Sequence, residues 1–230
     1  EVYSTADVDY AGRYVFAGYR TDTSISFSKE ENINYTITQQ LDSSSIDQVT
    51  FVKTTAEPSA GNFVDLNDIN STNYNTIQVT ENDISSVEVH RIRVSYGNLS
   101  EGMIPSIARV TGKDAAGNVT TENVVDDSQV ITTHSYDVPS AYELAAGNPD
   151  NVYFIPETGE MILGENVYAA MMSYQDQAST STVNEGEIRI TYQKSNWKQG
   201  ELRPEHYYAC TSTDTKGNTL SYNEDYLKGS

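Results

Sequence analysis

Val87-Glu-Val-His-Arg-Ile-Arg-Val-Ser-Tyr96 is the longest run of strand-forming sequence in the chain. Apolar residues alternate with polar ones along it, the period of a pleated strand. The phase slips once: Val87 and Val89 occupy odd positions, whereas Ile92, Val94 and Tyr96 occupy even ones. One extra residue near His90-Arg91 would return all five to the same face. The run therefore predicts a β-bulge, or a strand that passes from one sheet to another. Either gives His90 a structural place at the kink, and no second ligand or carboxylate spacing accompanies it.

Shorter runs of the same kind lie on both sides. Asn34–Gln39 alternates Tyr35 and Ile37 with threonines, Gln48–Thr54 carries Val49, Phe51 and Val52, and Asn75–Thr80 carries Ile77 and Val79. Ser24–Ser28 is a further short strand. Ile104–Thr111 and Asn118–Val124 flank Asp114-Ala-Ala-Gly-Asn118, a hairpin turn in which Gly117 and Asn118 can take positive φ. Gln129–His134 adds another strand. Near the start, Tyr14, Phe16 and Tyr19 alternate between Gly12 and Gly18, which reads as a half-buried strand with tight ends.

The pattern changes near Val138-Pro139. Ser140-Ala-Tyr-Glu143 is a capping box that starts a short helix over Ala141–Ala146, with Gly147 at its stop. Asn151–Pro156 and Met161–Leu163 form a hairpin bent at Gly159. Val167, Ala170, Met171 and Tyr174 recur at helical spacing, so Asn166–Tyr174 reads as a short helix against the sheet. Glu187–Tyr192 is a strand with Ile188, Ile190 and Tyr192 on one side. His206–Ser212 and Thr219–Tyr222 close the set through a turn at Lys216-Gly-Asn218. Residues 176–186 are small and polar and read as a flexible loop.

These signals predict a mainly β protein, an antiparallel β-sandwich-like domain or pair of domains with one or two short helices. Residues 1–12 read as the end of a helical segment, 13–138 as a β-sandwich-like domain, 139–222 as a second small β-rich domain, and 223–230 as a C-terminal tail. The two halves can also share one sheet. No internal repeat is evident.

Composition narrows the functional classes. The chain has 230 residues, 33 acidic and 14 basic, for a formal charge of −19. Such a surface repels phosphate backbones and anionic lipid headgroups, which argues against nucleic acid and membranes as partners. The charge is spread along the chain, as on a solvated surface. Tyrosine, at 17 residues, supplies much of the apolar content and suits strand faces close to water. The single cysteine, Cys210, excludes an intrachain disulfide and a CxxC site, and it reads as a small buried hydrophobe beside Tyr207 and Tyr208. His206 is its nearest base in sequence but need not face the sulfur. No run of 18 apolar residues and no signal peptide is read. The polar ends and the missing start methionine suggest a piece of a longer protein.

Reactive chemistry finds little support. Glu157 and Glu160 can be nominated as a glycosidase pair, but they flank a hairpin turn, where exposed acids serve solubility. Calcium is the more serious site hypothesis: Asp65, Asn67, Asp68 and Asn70 share a polar loop, and Asp114 and Asn118 flank a glycine. Neither segment has EF-hand spacing, and Asp and Asn in loops commonly bond their own backbone. The nucleophile elbow, the P-loop, H-E-x-x-H and the dinucleotide fingerprint are all absent. Asn-x-Ser/Thr sequons at Asn34, Asn70, Asn98 and Asn118 fit a chain rich in these residues. The expectation is no catalytic, cofactor-binding or metal-ligating residue, and no cofactor.

Asp9-Tyr-Ala-Gly-Arg-Tyr-Val-Phe-Ala-Gly-Tyr-Arg-Thr-Asp22 resembles the point where the long helix of flagellar hook-associated proteins of the bacterial flagellin family gives way to the outer domain. Asn151–Gly164 and Glu187–Thr211 also look like outer-domain segments of these hook–filament junction subunits. Together the three cover about a fifth of the chain. In that family terminal helices build the tube of the axial assembly, and the central segment projects outward as β-rich domains. The resemblance implies a structural, non-enzymatic component of the extracellular flagellum, secreted by the flagellar export route. Its partners would be flagellin and neighbouring hook-associated proteins, reached through helical segments outside this sequence, and the piece itself would be monomeric. A second expectation is an immunoglobulin-like surface adhesin that binds a glycan or host protein. Its basis is the Asp114–Asn118 turn, which recurs in such modules, the many tyrosines, and Trp197, which can serve as an exposed carbohydrate platform although a lone tryptophan is more often a satellite-core residue.

Overall fold

The structure is a computed structural model that describes residues 9–10, 13–14, 33–54, 84–173, 186–198, 200–214 and 216–228. The first elements are a pair of two-residue antiparallel strands, β1 (Asp9–Tyr10) and β2 (Arg13–Tyr14). Of the helix end expected over residues 1–12, only Asp9 and Tyr10 are described, and they form a strand, as the aromatic Tyr10 favours; the others lie outside the described residues. Of the strand expected from Tyr14 through Tyr19, only Tyr14 is described, in β2; the rest lies outside the described residues. Ser24–Ser28, Asn75–Thr80 and the Asp65–Asn70 loop also lie outside them.

The body is mainly β, a sandwich of two sheets. Its strands are β3 (Asn34–Leu41), β4 (Ile46–Thr54), β5 (Ile84–Arg93), β6 (Ser106–Lys113), β7 (Val119–Asn123), β8 (Val130–Thr132), β9 (Val152–Ile155), β10 (Glu160–Leu163), β11 (Ile188–Lys194), β12 (Ala209–Thr213) and β13 (Thr219–Tyr222). The helices are α1 (Ala141–Gly147) and α2 (Glu165–Met172). One sheet has the order β4-β5-β10-β9-β8, the other β13-β12-β3-β11-β6-β7. All pairings in the body are antiparallel except β8 with β9.

Strands from either side of Val138-Pro139 pair in both sheets. β5 pairs with β10, β3 with β11 and β12, and β6 with β11. That point is thus not a boundary between a 13–138 domain and a 139–222 domain. Neither half could satisfy its strand edges or cover its apolar face without the other.

The inner faces supply the main core. Ile92, Val152, Phe154, Met161 and Leu163 from one sheet meet Tyr35, Ile37, Ile107, Ile188, Ile190 and Tyr192 from the other. Full burial of a large aliphatic or phenyl side chain contributes ~1.5–3 kcal/mol, so this contact dominates stability. The five-stranded sheet is covered on its second face as well. Val89, Tyr153, Ile155 and Ile162 pack there with Ala141 and Ala145 of α1. Ser140 caps α1, its Oγ accepting from the Glu143 N–H, as the sequence predicts.

This second layer explains the phase slip in the opening stretch. β5 keeps unbroken register with β4 from Ile84 to Ile92, so it has no bulge near His90-Arg91. Val89 faces α1, whereas Ile92, Val94 and Tyr96 face the main core. The five apolar residues do not share a face, because Val89 packs in the second layer and Val87 stands exposed past it. The passage between sheets comes just after the strand: residues 94–105 cross to β6, with the Val94 N–H donating to Gly159 O and the Ser100 N–H to Gln193 O. The bulge lies elsewhere, in β6 between Val110 and Gly112.

Residues 223–228 are not a free tail. Gln40 and Arg189 donate to the carbonyls of Tyr226 and Leu227, and the Asn223 amide donates to Glu205 O and Tyr208 O.

The six-stranded sheet has an approximate two-fold relation that the sequence reading missed. The antiparallel pair β3 and β11 is flanked by the hairpins β12–β13 and β6–β7. Each hairpin closes with Asp-x-x-Gly-Asn, over Asp114–Asn118 and Asp214–Asn218. In both turns Asp Oδ1 accepts from the backbone N–H of the third and fifth residues, and Oδ2 accepts from the Asn side chain. Gly117 and Gly217 supply the positive φ; Asn118, expected to be able to, does not.

Candidate functional site

Among the described residues, a groove of about 350 Å³ is lined by Asn98, Leu99, Glu101, Pro156, Glu157 and Asn196. It forms where the crossover after β5 docks on the β9–β10 turn. The N–H groups of Asn98 and Leu99 donate to Glu157 O and Pro156 O. Gly159 makes that turn possible: its φ is +70°, and a Cβ there would lie 2.1 Å from Tyr96 O. Asn98 itself adopts a left-handed φ of 51°, a conformation that asparagine tolerates better than most residues.

Beneath the groove lies Lys194, whose side chain is fully buried. It ends the inward row Ile188, Ile190, Tyr192, and its ammonium donates to Gly97 O and Asn98 O, 3.4 Å from Glu201. Burial lowers its pKa, and Glu201 partly opposes that shift. Lys194 thus pins the segment that carries Asn98. On the rim, His134 Nδ1 lies 2.6 Å from Glu157 Oε1. This hydrogen bond, reinforced by the charges of Glu157, Glu101 and Asp137, raises the His134 pKa. The His134 ring stacks on Tyr136, which is 74% exposed.

The nominated acid pair is divided between two tasks. Glu157 binds His134. Glu160 is 6% exposed and accepts from Arg91, Arg93 and Thr158, beside the Tyr142 hydroxyl that Arg91 also contacts. Neither is the exposed solubility acid that the sequence suggests. The arginines two apart on β5 signal a buried carboxylate only once the β5–β10 register is known.

The remaining sequence candidates among the described residues are held in structural roles. In the Asp114 turn both carboxylate oxygens are occupied by its own N–H groups, and Asp114 is held below the usual carboxyl range by the Asn118 side chain first. Cys210 is buried in the main core, and burial pushes its thiol up to about 12. His90 is buried at the end of the core, stacked on Tyr168 of α2 at 3.4 Å with Glu165 3.6 Å from Nδ1. Trp197 is 5% exposed and meets Tyr35 and Tyr96 edge to face, with its Nε1–H donating to Ile33 O. It is a core residue and cannot be a surface platform for sugar. Among the described residues, no three His, Cys, Asp or Glu side chains form a metal-ligand set, and no helix is long and apolar enough to cross a membrane.

Comparison with protein-family models, with curated proteins and with solved structures finds no match.

Proposed function

We propose that this chain is the outer, solvent-facing part of a hook–filament junction subunit of the flagellin family, a structural component without enzymatic activity. The observation that carries the reading is Asp9–Asp22, whose sequence resembles the junction between axial helix and outer domain in that family. The β-sandwich architecture supports it, as does the way the acids and histidines singled out above are used for packing and turns. An excess of 19 negative charges keeps crowded copies on a projecting surface apart. The lack of disulfide partners for Cys210 suits export as an unfolded chain.

The test extends the chain by the residues its gene encodes on either side and mixes it with purified flagellin. The extended protein co-sediments with flagellin filaments, and the 230-residue chain alone stays in the supernatant. Absence of co-sedimentation by the extended protein would remove this reading.

A second reading, an immunoglobulin-like surface adhesin, draws on one specific observation: the turn that motivates it occurs twice, at both outer hairpins of one sheet. Saturable binding to a glycan array would favour it. Trp197 would not be the contact.

A further inference from the structure

The groove between the crossover after β5 and the β9–β10 turn has firmly held walls, and every residue that lines it is described. Asn98 is fixed from below. Its N–H donates to Glu157 O, its carbonyl accepts from the buried Lys194, and its φ of 51° is one that non-glycine residues adopt sparingly. Such conformations persist where the surroundings over-determine them, and they cluster at ligand sites. Asn196 is fixed through its neighbour: Ser195 Oγ lies 2.8 Å from Ser100 Oγ, and the Ser100 N–H donates to Gln193 O. Both asparagines are exposed. A groove of about 350 Å³ falls within the ~300–1,000 Å³ of small-molecule sites.

The charges around the groove select the ligand. Lys194 commits its ammonium to Gly97 O, Asn98 O and Glu201, and among the described residues no basic side chain lines the groove, so an anion meets no counter-charge. Glu157 is committed to His134, which leaves Glu101 as a single exposed carboxylate. One surface carboxylate holds a cation weakly. A neutral ligand dense in hydroxyls fits what remains, because a side-chain amide both donates and accepts and a carboxylate accepts. On the rim, Tyr136 is 74% exposed and sets one ring face on His134, which leaves the other for a ligand. Such a ring offers an apolar surface beside a polar tip, as the C–H face of a sugar requires.

We infer that this groove is a saccharide subsite in which Asn98, Asn196 and Glu101 hydrogen-bond the hydroxyls of one sugar ring and Tyr136 packs on the neighbouring ring. The inference rests on the second reading above and names its site.

Backbone amide NMR of the isotope-labelled whole chain tests it. Lactose, maltose, cellobiose and diacetylchitobiose are each added to about 20 mM, above the roughly millimolar Kd expected of a small polar ligand. At least one of them shifts the Asn98, Leu99, Glu101 and Asn196 amides saturably. Asn196→Ala and Tyr136→Ala each weaken that binding about tenfold or more. Asn98→Gly, which keeps the left-handed backbone and removes the amide, does the same. The other amide signals stay in place in all three variants, which shows that they are folded. No shift with any of these sugars would overturn the inference and count against the second reading too. Binding that shifts other residues instead, or that the three variants retain in full, would overturn the site and leave that reading standing. Saturable shifts of the same amides by calcium chloride or choline chloride, with none from the sugars, would mark a cation site and overturn it as well.

Discussion

Ile162→Ala probes the feature that the sequence pattern hides, a central strand buried on both faces. Ile162 sits on β10, the middle strand of its sheet, with no exposed surface, against Val89, Tyr153, Ile155, Ala141 and Ala145. Its neighbour Met161 is equally buried but faces the main core. Truncating isoleucine to alanine removes three carbons, ~2.4 kcal/mol at about 0.8 per methylene. The cavity left behind adds to this, placing the total within the ~2–5 kcal/mol seen for such changes. α1 is only seven residues long and can settle partly into the gap, so about 3 kcal/mol is expected. For a domain of this size that lowers Tm by about 6–12 °C. Urea unfolding followed by circular dichroism measures it, with Met161→Ala as the reference. If Ile162→Ala cost less than about 1 kcal/mol while Met161→Ala cost several, the outer face would be wet and the three-layer arrangement wrong.

Other consequences concern charge and turns. Glu160→Gln leaves Arg91 and Arg93 without their shared carboxylate and destabilises the fold by about 2 kcal/mol in the same assay. Asp114 and Asp214 have folded pKa values below the ordinary 3.8, held down first by the side chains of Asn118 and Asn218. Their contribution is thus fully present above that value and is lost as pH falls through the folded pKa. Asp114→Asn together with Asp214→Asn therefore flattens the loss of stability below about pH 4, seen in acid titrations by circular dichroism. Cys210, buried and with its thiol pushed up to about 12, stays unreactive toward a thiol reagent such as DTNB until the chain unfolds.

Much of the strand content was legible because it rests on local rules. Tyr35 and Ile37, and Ile188, Ile190 and Tyr192, alternate in sequence and point inward in the structure. The Ser140 cap and the Val167–Met171 spacing located both helices. What stayed hidden depends on contacts between distant segments. The slip between Val89 and Ile92 resembles a bulge in one dimension and is a change of face in three. The halves look separable at Pro139 because strand pairing across 67 to 179 residues leaves no local trace. Glu160 looks like a surface residue by type, yet β5 buries it. His134 and Glu157, 23 residues apart, meet only because β8 and β9 run side by side.

The most direct test of the proposed role is immunogold electron microscopy with antibodies raised against this chain, on cells of the organism that encodes it. Gold confined to the boundary between hook and filament is the expected result. Gold spread over the cell wall, with bare flagella, would contradict it and turn attention to an adhesin.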